Sequence, residues 1–346
     1  MKRLVWISIA VGILHACKPH TGYTIKGDLA GANGMKVTLL KVIANSDNYL
    51  MSDSCVVKKG KFMMQGNLEC PEYCLLYVGD NGPIQMIVEN TEMNVDVNLQ
   101  NTVDSKVTGS VETDLLMEYS NNIALMDTMR QERIEYMKQF VAGNPNRIAT
   151  AFVVNNYLAN FLDAEALDSY ADGMDDANSQ STWVQSIREK ARAARLIAVG
   201  QPFADIRLPN VHGNEIALSD YAGKDKYVLI HFWASWCRMC RLANPHLVEF
   251  YKKYREKEFE IVGISLDRNK AEWTKAIQAD SLKWPQMSDL KFWQSEAAKI
   301  YRVDSLPYNI LLDKDGIILA KGFQPDESGK SVEMEDKLEE LINENY

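Results

Sequence analysis

The sequence predicts an α/β domain at the C-terminus, with a mixed sheet and helices on both faces, preceded by a small antiparallel β-domain and a helical connector. Three patterns indicate this fold class. Residues 23–111 contain short apolar segments separated by turn residues, as in a β-sandwich. Residues 112–199 carry apolar side chains at helical spacing, and strands alternate with helices in 200–346. A chain of 346 residues is also long enough for two or three cores.

The overall composition is that of an ordinary globular protein. Apolar residues make up 46% of the chain and charged residues 25%. The net charge of -9 is spread thinly, and there is no basic stripe that would neutralise phosphates. We therefore expect no nucleic-acid partner.

Residues 1–16 are predicted to be a signal peptide. Lys2 and Arg3 precede an almost unbroken apolar run over 4–16. A membrane-spanning helix needs about 20 apolar residues, so this run is too short to be a comfortable span. The pattern indicates an exported protein.

The end of the apolar run resembles a bacterial lipoprotein cleavage box. Leu14 stands three places before Cys17 and a small residue directly precedes the cysteine, although His15 fills a position that is usually small. The resemblance implies lipidation of Cys17, a tether over 17–22, and anchoring to a membrane of the cell envelope, facing the periplasm or on the outer membrane. The alternative is ordinary cleavage nearby, with Cys17 lost or left free.

The β-domain and the connector follow in order. Short apolar segments between glycine-rich turns predict strands at 37–40, 62–64, 75–78, 86–88 and 95–99. Helical spacing predicts three connector helices, through 115–141, 148–162 and 183–194. Gly143 and Gly200 are expected to end the first and third helices, and Asn144-Pro145 to begin the second.

The C-terminal domain is predicted to have a sheet of parallel and antiparallel strands. The predicted strands are 227–232, 259–264, 309–312 and 317–320, and the predicted helices are 240–254, 271–279, 296–301 and 332–345. Asp315-Gly316 between the last two strands is a hairpin signal.

The strongest chemical signal is a pair of cysteines at the start of a predicted helix. Residues 232–240 read FWASWCRMC and directly follow a buried strand. Cys237 is placed where unpaired backbone N–H groups and the helix dipole favour an anion, which lowers a thiol pKa. Cys240 is one turn deeper, within reach of a mixed disulfide formed by Cys237.

These residues resemble the thioredoxin superfamily, most closely its exported TlpA/ResA-type thiol-disulfide oxidoreductases. The similarity covers 200–346, and includes the entry segment 200–205, the lead-in 213–224 and a helical insertion after Leu266. Leu306-Pro307 matches the family's cis-proline site. The resemblance implies a thioredoxin-like fold. The β-domain resembles an uncharacterised domain found before such domains in lipoproteins of Gram-negative bacteria.

The resemblance also implies roles for particular residues. Cys237 is expected to attack, Cys240 to resolve, and the protein partners to be thiol or disulfide clients. The expected client groove consists of Trp236, Arg238, Met239, Leu306 and Pro307. We expect no cofactor and no metal, because the cysteine pair carries the two electrons. We expect the protein to be a reductase. A membrane thiol-electron donor would then return its cysteine pair to the dithiol form.

Two positions depart from the family. Exported reductases often have a glutamate three residues after the second cysteine, where this chain has Ala243. Thioredoxins often bury an aspartate in the preceding strand, where this chain has His231. His231 is a candidate proton relay because its reference pKa is about 6.5, but the favoured interpretation is a hydrogen-bonded core histidine.

Three alternatives concern the cysteine pair. Tetrahedral zinc needs four ligands, and no second C-x-x-C motif is present. A peroxiredoxin-like peroxidase would carry a Pro-x-x-x-Thr-x-x pattern before its cysteine, which the chain lacks. A non-catalytic binding or docking lipoprotein could use the fold as a scaffold, although the intact pair argues against this.

The remaining cysteines are Cys55, Cys70 and Cys74. If Cys17 carries lipid and Cys237 pairs with Cys240, an odd number is left, so not all can pair within one molecule. Cys70 and Cys74 could close a small loop, but in a straight strand they would lie about 13 Å apart. Buried free thiols are the favoured interpretation.

Overall fold

The computed structural model describes residues 22–45, 49–126, 130–323 and 325–343. The predicted signal peptide, and the lipidation predicted at Cys17, lie outside these residues. The chain divides into two compact units. The first comprises residues up to 133 with 146–152 and 174–183, and the second comprises 134–145, 153–173 and 184 onward. The predicted connector contributes segments to both units.

Two four-stranded sheets form most of the first unit. Its strands are β1 (Tyr23–Asp28), β2 (Lys36–Val42), β3 (Tyr49–Val56), β4 (Lys61–Gly66), β5 (Glu72–Val78), β6 (Asn81–Val88), β7 (Glu92–Asp96) and β8 (Lys106–Thr108). The sheet orders are β4-β1-β7-β8 and β3-β2-β5-β6, antiparallel except for the parallel pair β1 and β7. Alternating side chains such as Ile25, Leu39 and Leu76 form one buried core.

Six helices follow. They are α1 (Val111–Leu125), α2 (Arg130–Gly143), α3 (Ile148–Val153), α4 (Ala164–Asp172), α5 (Asp176–Ser179) and α6 (Thr182–Leu196). The first predicted helix is therefore two helices, and α4 and α5 were not predicted. Asn144 donates to the Phe140 carbonyl at 2.9 Å and so ends α2; it does not begin the next helix, which starts at Ile148.

The predicted C-terminal fold class is confirmed. The remaining elements are β9 (Arg207–Pro209), β10 (Glu215–Ala217), β11 (Tyr227–Trp233), α7 (Arg238–Tyr254), β12 (Phe259–Ser265), α8 (Lys270–Ala279), β13 (Gln286–Met287), α9 (Glu296–Ile300), β14 (Tyr308–Leu312), β15 (Ile318–Lys321) and α10 (Val332–Asn343). The five-stranded sheet has the order β13-β12-β11-β14-β15. Strands β11, β12 and β13 are parallel, and β14 and β15 are antiparallel to their neighbours.

The central strand β11 is buried along its whole length. Its side chains alternate between two cores, because successive residues of a strand point to opposite faces. Leu229 and Trp233 belong to the core that includes α7, α8 and α10 residues, whereas Ile230 and Phe232 belong to the core that includes α9. Both faces of the sheet are thus covered by helices.

Three cysteines of the β-domain are free thiols. Cys70 and Cys74 are buried and Cys55 is half-buried, which confirms the favoured interpretation. Burial raises the thiol pKa of both Cys70 and Cys74 to about 12. These two sulfurs are therefore poor nucleophiles in the folded protein.

Candidate active site

Cys237 is the N-cap residue of α7, and a short loop separates it from the central strand, which ends at Trp233. It forms a disulfide with Cys240, with an S–S distance of 2.12 Å and a Cα–Cα distance of 5.3 Å. The backbone N–H of Cys240 donates to the Cys237 sulfur at 3.1 Å. The outer sulfur therefore already has a donor at a helix N-terminus, where the dipole favours negative charge.

The two sulfurs differ in exposure. Cys237 retains 7% of its accessible surface, whereas Cys240 has none. Cys237 is therefore the more accessible of the two residues, and Cys240 is shielded. This asymmetry is what an attacking and a resolving cysteine require.

A buried carboxylate holds the turn before Cys237. Asp267, which follows β12, accepts from the Ser235 backbone N–H at 3.0 Å and from the Ser235 hydroxyl at 2.5 Å. The Ser265 hydroxyl donates to the same carboxylate at 2.7 Å. Because parallel strands end at the same sheet edge, the residue after β12 lies beside the residue after β11. Asp267 thereby holds in place the chain segment that leads into Cys237.

A second carboxylate holds the first turn of α7. Asp280 accepts two hydrogen bonds from the Arg241 guanidinium, at 2.5 and 2.7 Å, and one from the Asn244 amide at 2.6 Å. Arg241 also reaches the Ser235 carbonyl at 3.4 Å. A bidentate arginine–carboxylate pair fixes orientation as well as distance.

His231 lies on the face of β11 that packs against α7 and is fully buried. Its Nδ1 is 2.7 Å from the Asn309 side-chain oxygen. Its Nε2 and the Asn244 Oδ1 are both buried, and the Asn244 side chain is close enough to favour the charged form of the ring slightly. Burial lowers the pKa of His231 to about 4, so the ring is neutral at pH 7.

The proline loop leaves the sheet at the same edge as the cysteines. Leu306-Pro307 has a cis peptide bond, and Phe232 pairs with Tyr308 where β11 and β14 meet. Leu306 is half-buried and Pro307 is buried. Of the other predicted groove residues, Arg238 is exposed, Met239 is half-buried, and Trp236 is half-exposed.

Metal binding and membrane spanning can both be assessed for the described residues. Within the described residues, no group of three or more His, Cys, Asp or Glu side chains could hold a metal ion. The same residues include no helix with the length and apolar character that a membrane span requires.

Two sequence profiles match the chain. The AhpC/TSA family matches residues 199–321, and a domain of unknown function, DUF4369, matches residues 23–116. A thiol-disulfide oxidoreductase ResA from Bacillus cereus is 31% identical over 126 residues, which cover 36% of this chain and 68% of that protein. The chain belongs to the ResA family of thiol-disulfide oxidoreductases.

A second ResA relative and one solved structure are also similar to parts of this chain. ResA from Bacillus thuringiensis is 29% identical over 144 residues, which cover 42% of this chain and 76% of that protein. The structure of a thiol-disulfide oxidoreductase from Bacteroides fragilis is 38% identical, with a TM-score of 0.37, covering 41% of this chain and 99% of that chain.

Several residues around the ResA-type cysteine pair were not found from the sequence. Asp267 and Asp280 are distant in sequence from the motif that they hold, and so are Asn309 and the aromatic residues Phe292 and Trp293. Asp267 carried a usable signal, because it directly follows the strand parallel to β11. The others reach the ResA-type site only through tertiary packing.

Proposed function

We propose that Cys237 and Cys240 reduce disulfides of client proteins. The Cys237 thiolate attacks one client sulfur, the client S–S bond breaks, and the other client sulfur leaves as a thiolate that takes up a proton. Cys240 then attacks Cys237, and the second client thiol leaves. The products are a dithiol client and the Cys237–Cys240 disulfide, so two electrons have moved to the client without a cofactor.

One contact carries this assignment: the Cys240 N–H lies 3.1 Å from the Cys237 sulfur at the N-cap of α7. After reduction, a Cys237 thiolate in this position would accept the same N–H without rearrangement of the helix. A hydrogen bond to the charged form lowers a pKa, as does the helix dipole. Arg238 adds a positive charge next to the sulfur.

The resolving step needs a base for the Cys240 thiol. His231 is a candidate because it lies beside Asn244, which is one helical turn after Cys240 on α7. Neutral His231 has a buried Nε2 that could accept a proton. Its low pKa and its bond to Asn309 favour instead the purely structural role preferred from the sequence.

We also propose that the protein works outside the cytoplasm. The apolar run of residues 4–16 and the cleavage box before Cys17 support export and lipid anchoring in the cell envelope. A membrane thiol-electron donor would then return the Cys237–Cys240 pair to the dithiol form. Radiolabelled palmitate incorporated by the wild type and not by Cys17→Ser would support this anchoring.

Insulin reduction with dithiothreitol tests the activity. The wild type should accelerate insulin precipitation, and Cys237→Ser should abolish the acceleration. Cys240→Ser that is reduced, freed of dithiothreitol and then mixed with insulin should accumulate a mixed disulfide between Cys237 and insulin, visible on a non-reducing gel. A wild-type rate equal to background would support a scaffold role, and thiol-dependent consumption of hydrogen peroxide would support a peroxidase.

A further inference from the structure

Trp236 packs against two aromatic side chains of a separate loop, 288–295. The ring centroid of Trp236 lies 5.1 Å from that of Phe292 and 6.0 Å from that of Trp293. Phe292 and Trp293 are themselves 5.8 Å apart. We call these three residues the aromatic platform. Trp236 still exposes 48% of its surface, directly before the attacking cysteine.

The loop holds the platform in a conformation that bulky residues rarely adopt. Leu290 and Phe292 both have φ of 57°, in the left-handed region. The Ser288 hydroxyl accepts from the Leu290 N–H at 3.1 Å, and the Asp289 carboxylate accepts from the Glu296 N–H at 3.1 Å. Such backbone conformations persist only where their surroundings fix them, and they concentrate at functional sites.

A cavity of about 430 Å³ continues from the platform toward α8. The Arg268 guanidinium on its wall lies 4.0 Å from the Phe292 ring centroid. Lys275 and Glu272 are the other exposed charged residues of the wall. The exposed part of the wall therefore carries two cations and one carboxylate. The other charged lining residues are less exposed: Asp267 accepts from Ser235 at the base of the cavity, and Arg241 is paired with Asp280.

We propose that this surface selects the client segment. The occupant is an extended peptide whose cysteine is flanked by an aromatic or large apolar residue and, further along, by an acidic residue. The apolar side chain would pack on the open face of Trp236 while the client sulfur reaches Cys237. The acidic side chain would lie in the cavity beside Arg268 and Lys275. This inference rests on the proposed disulfide exchange at Cys237.

Four synthetic peptides test the selectivity. Each carries one cysteine in a mixed disulfide with thionitrobenzoate, with Trp or Ser beside the cysteine and Asp or Lys two residues further. Reduced protein attacks the peptide sulfur, the coloured thiolate leaves, and Cys240 then releases the peptide as a thiol. The Trp–Asp peptide should react about three to ten times faster than the Ser–Asp peptide, the range expected for one aromatic contact. It should also react faster than the Trp–Lys peptide.

Two variants assign the selectivity to this surface. Phe292→Leu should reduce the preference for Trp to less than about twofold, because it removes the ring that supports Trp236. In the wild type, the preference for Asp should decrease as the salt concentration rises. Arg268→Gln should remove most of this preference and its salt dependence. Lys252→Gln, on an exposed part of α7, is the matched charge control and should keep both preferences. Each rate is divided by that protein's own rate with dithionitrobenzoate, a small disulfide without a peptide.

The outcomes separate the two proposals. If the reduced wild type did not react with dithionitrobenzoate, the proposed disulfide exchange itself would be contradicted. Normal reactivity toward that reagent, with four peptides equal within twofold, would overturn the selectivity and leave the exchange intact. The wild-type ranking needs no variant, so it stands even if Phe292→Leu fails to fold.

Discussion

The Asp267 carboxylate binds both the backbone N–H and the hydroxyl of Ser235, two residues before Cys237. Asp267 is itself almost completely buried. It therefore acts as an internal support for the loop between β11 and α7, since a buried carboxylate is stable only where its oxygens are fully bonded.

Replacement of Asp267 should weaken both stability and catalysis. Asp267→Ala would leave the Ser235 N–H and the Ser265 hydroxyl without their acceptor, so we expect a loss of about 2–4 kcal/mol in the free energy of unfolding. Asp267→Asn keeps one side-chain oxygen and should cost less than half as much. Urea unfolding followed by tryptophan fluorescence measures both. Equal stability of the alanine variant and the wild type would contradict the supporting role.

The Arg241–Asp280 pair should stabilise the first turn of α7. Arg241→Gln loses the bidentate bonds in a partly buried setting, so we expect a loss of about 1–2 kcal/mol in stability. Amide hydrogen exchange near Cys240 should become faster. Lys252→Gln breaks a fully exposed pair with Glu249 on the same helix and should change stability by less than about 0.5 kcal/mol. If both variants behaved alike, the pair would have no special role.

Buried His231 should make the protein less stable in mild acid. Its pKa is lowered to about 4 in the folded state, against about 6.5 when unfolded. Between these values only the unfolded state takes up the proton, so stability falls as the pH drops from 6.5 toward 4, by about 3 kcal/mol. His231→Gln should lack this component in urea unfolding at a series of pH values. Exposed His212→Gln should follow the wild type; parallel profiles for all three proteins would refute the assignment.

Alkylation should distinguish the thiols of the reduced protein. A thiol with a pKa of about 12, as burial gives Cys70 and Cys74, is thiolate in only about one molecule in 10⁵ at pH 7. Iodoacetamide should therefore modify Cys237 first and leave Cys70 and Cys74 unmodified until urea is added. Peptide mass spectrometry over time gives the order. Modification of Cys74 at the rate of Cys237 would show that burial does not control reactivity here.

The parts of the fold predicted from the sequence are those with strong local patterns. A continuous apolar run predicted strand 227–232, and the structure has Tyr227–Trp233. The connector was predicted less well, because α4 and α5 are short and begin at single capping residues. Asp163 accepts from the Ala166 N–H and Asp175 from the Asn178 N–H, both at 2.8 Å. Such caps are local signals. However, the apolar stripe after each cap is too short for the segment to be recognised as a helix.

The same division holds for the site. The cysteine pair, Trp236 and Pro307 stand in local motifs, so their positions could be predicted. The parallel pairing of β1 with β7 and the contact of Phe292 with Trp236 depend on segments far apart in sequence. The left-handed conformation of Phe292 has no residue-type signal, because glycine or asparagine is the usual occupant. Hydrogen bonds within the loop and its packing against Trp236 accompany this conformation.

The supports of the cysteine pair lie on either side of it, at Ser235 and Arg241. The two residues between the cysteines take no part in those bonds: Arg238 is exposed and Met239 is half-buried. Substitution of Arg238 and Met239 would therefore change the charge beside the Cys237 sulfur. The hydrogen bonds at Ser235 and Arg241 would stay intact. Substitutions at these two positions can thus change the reduction potential of the cysteine pair during evolution without changes elsewhere in the domain.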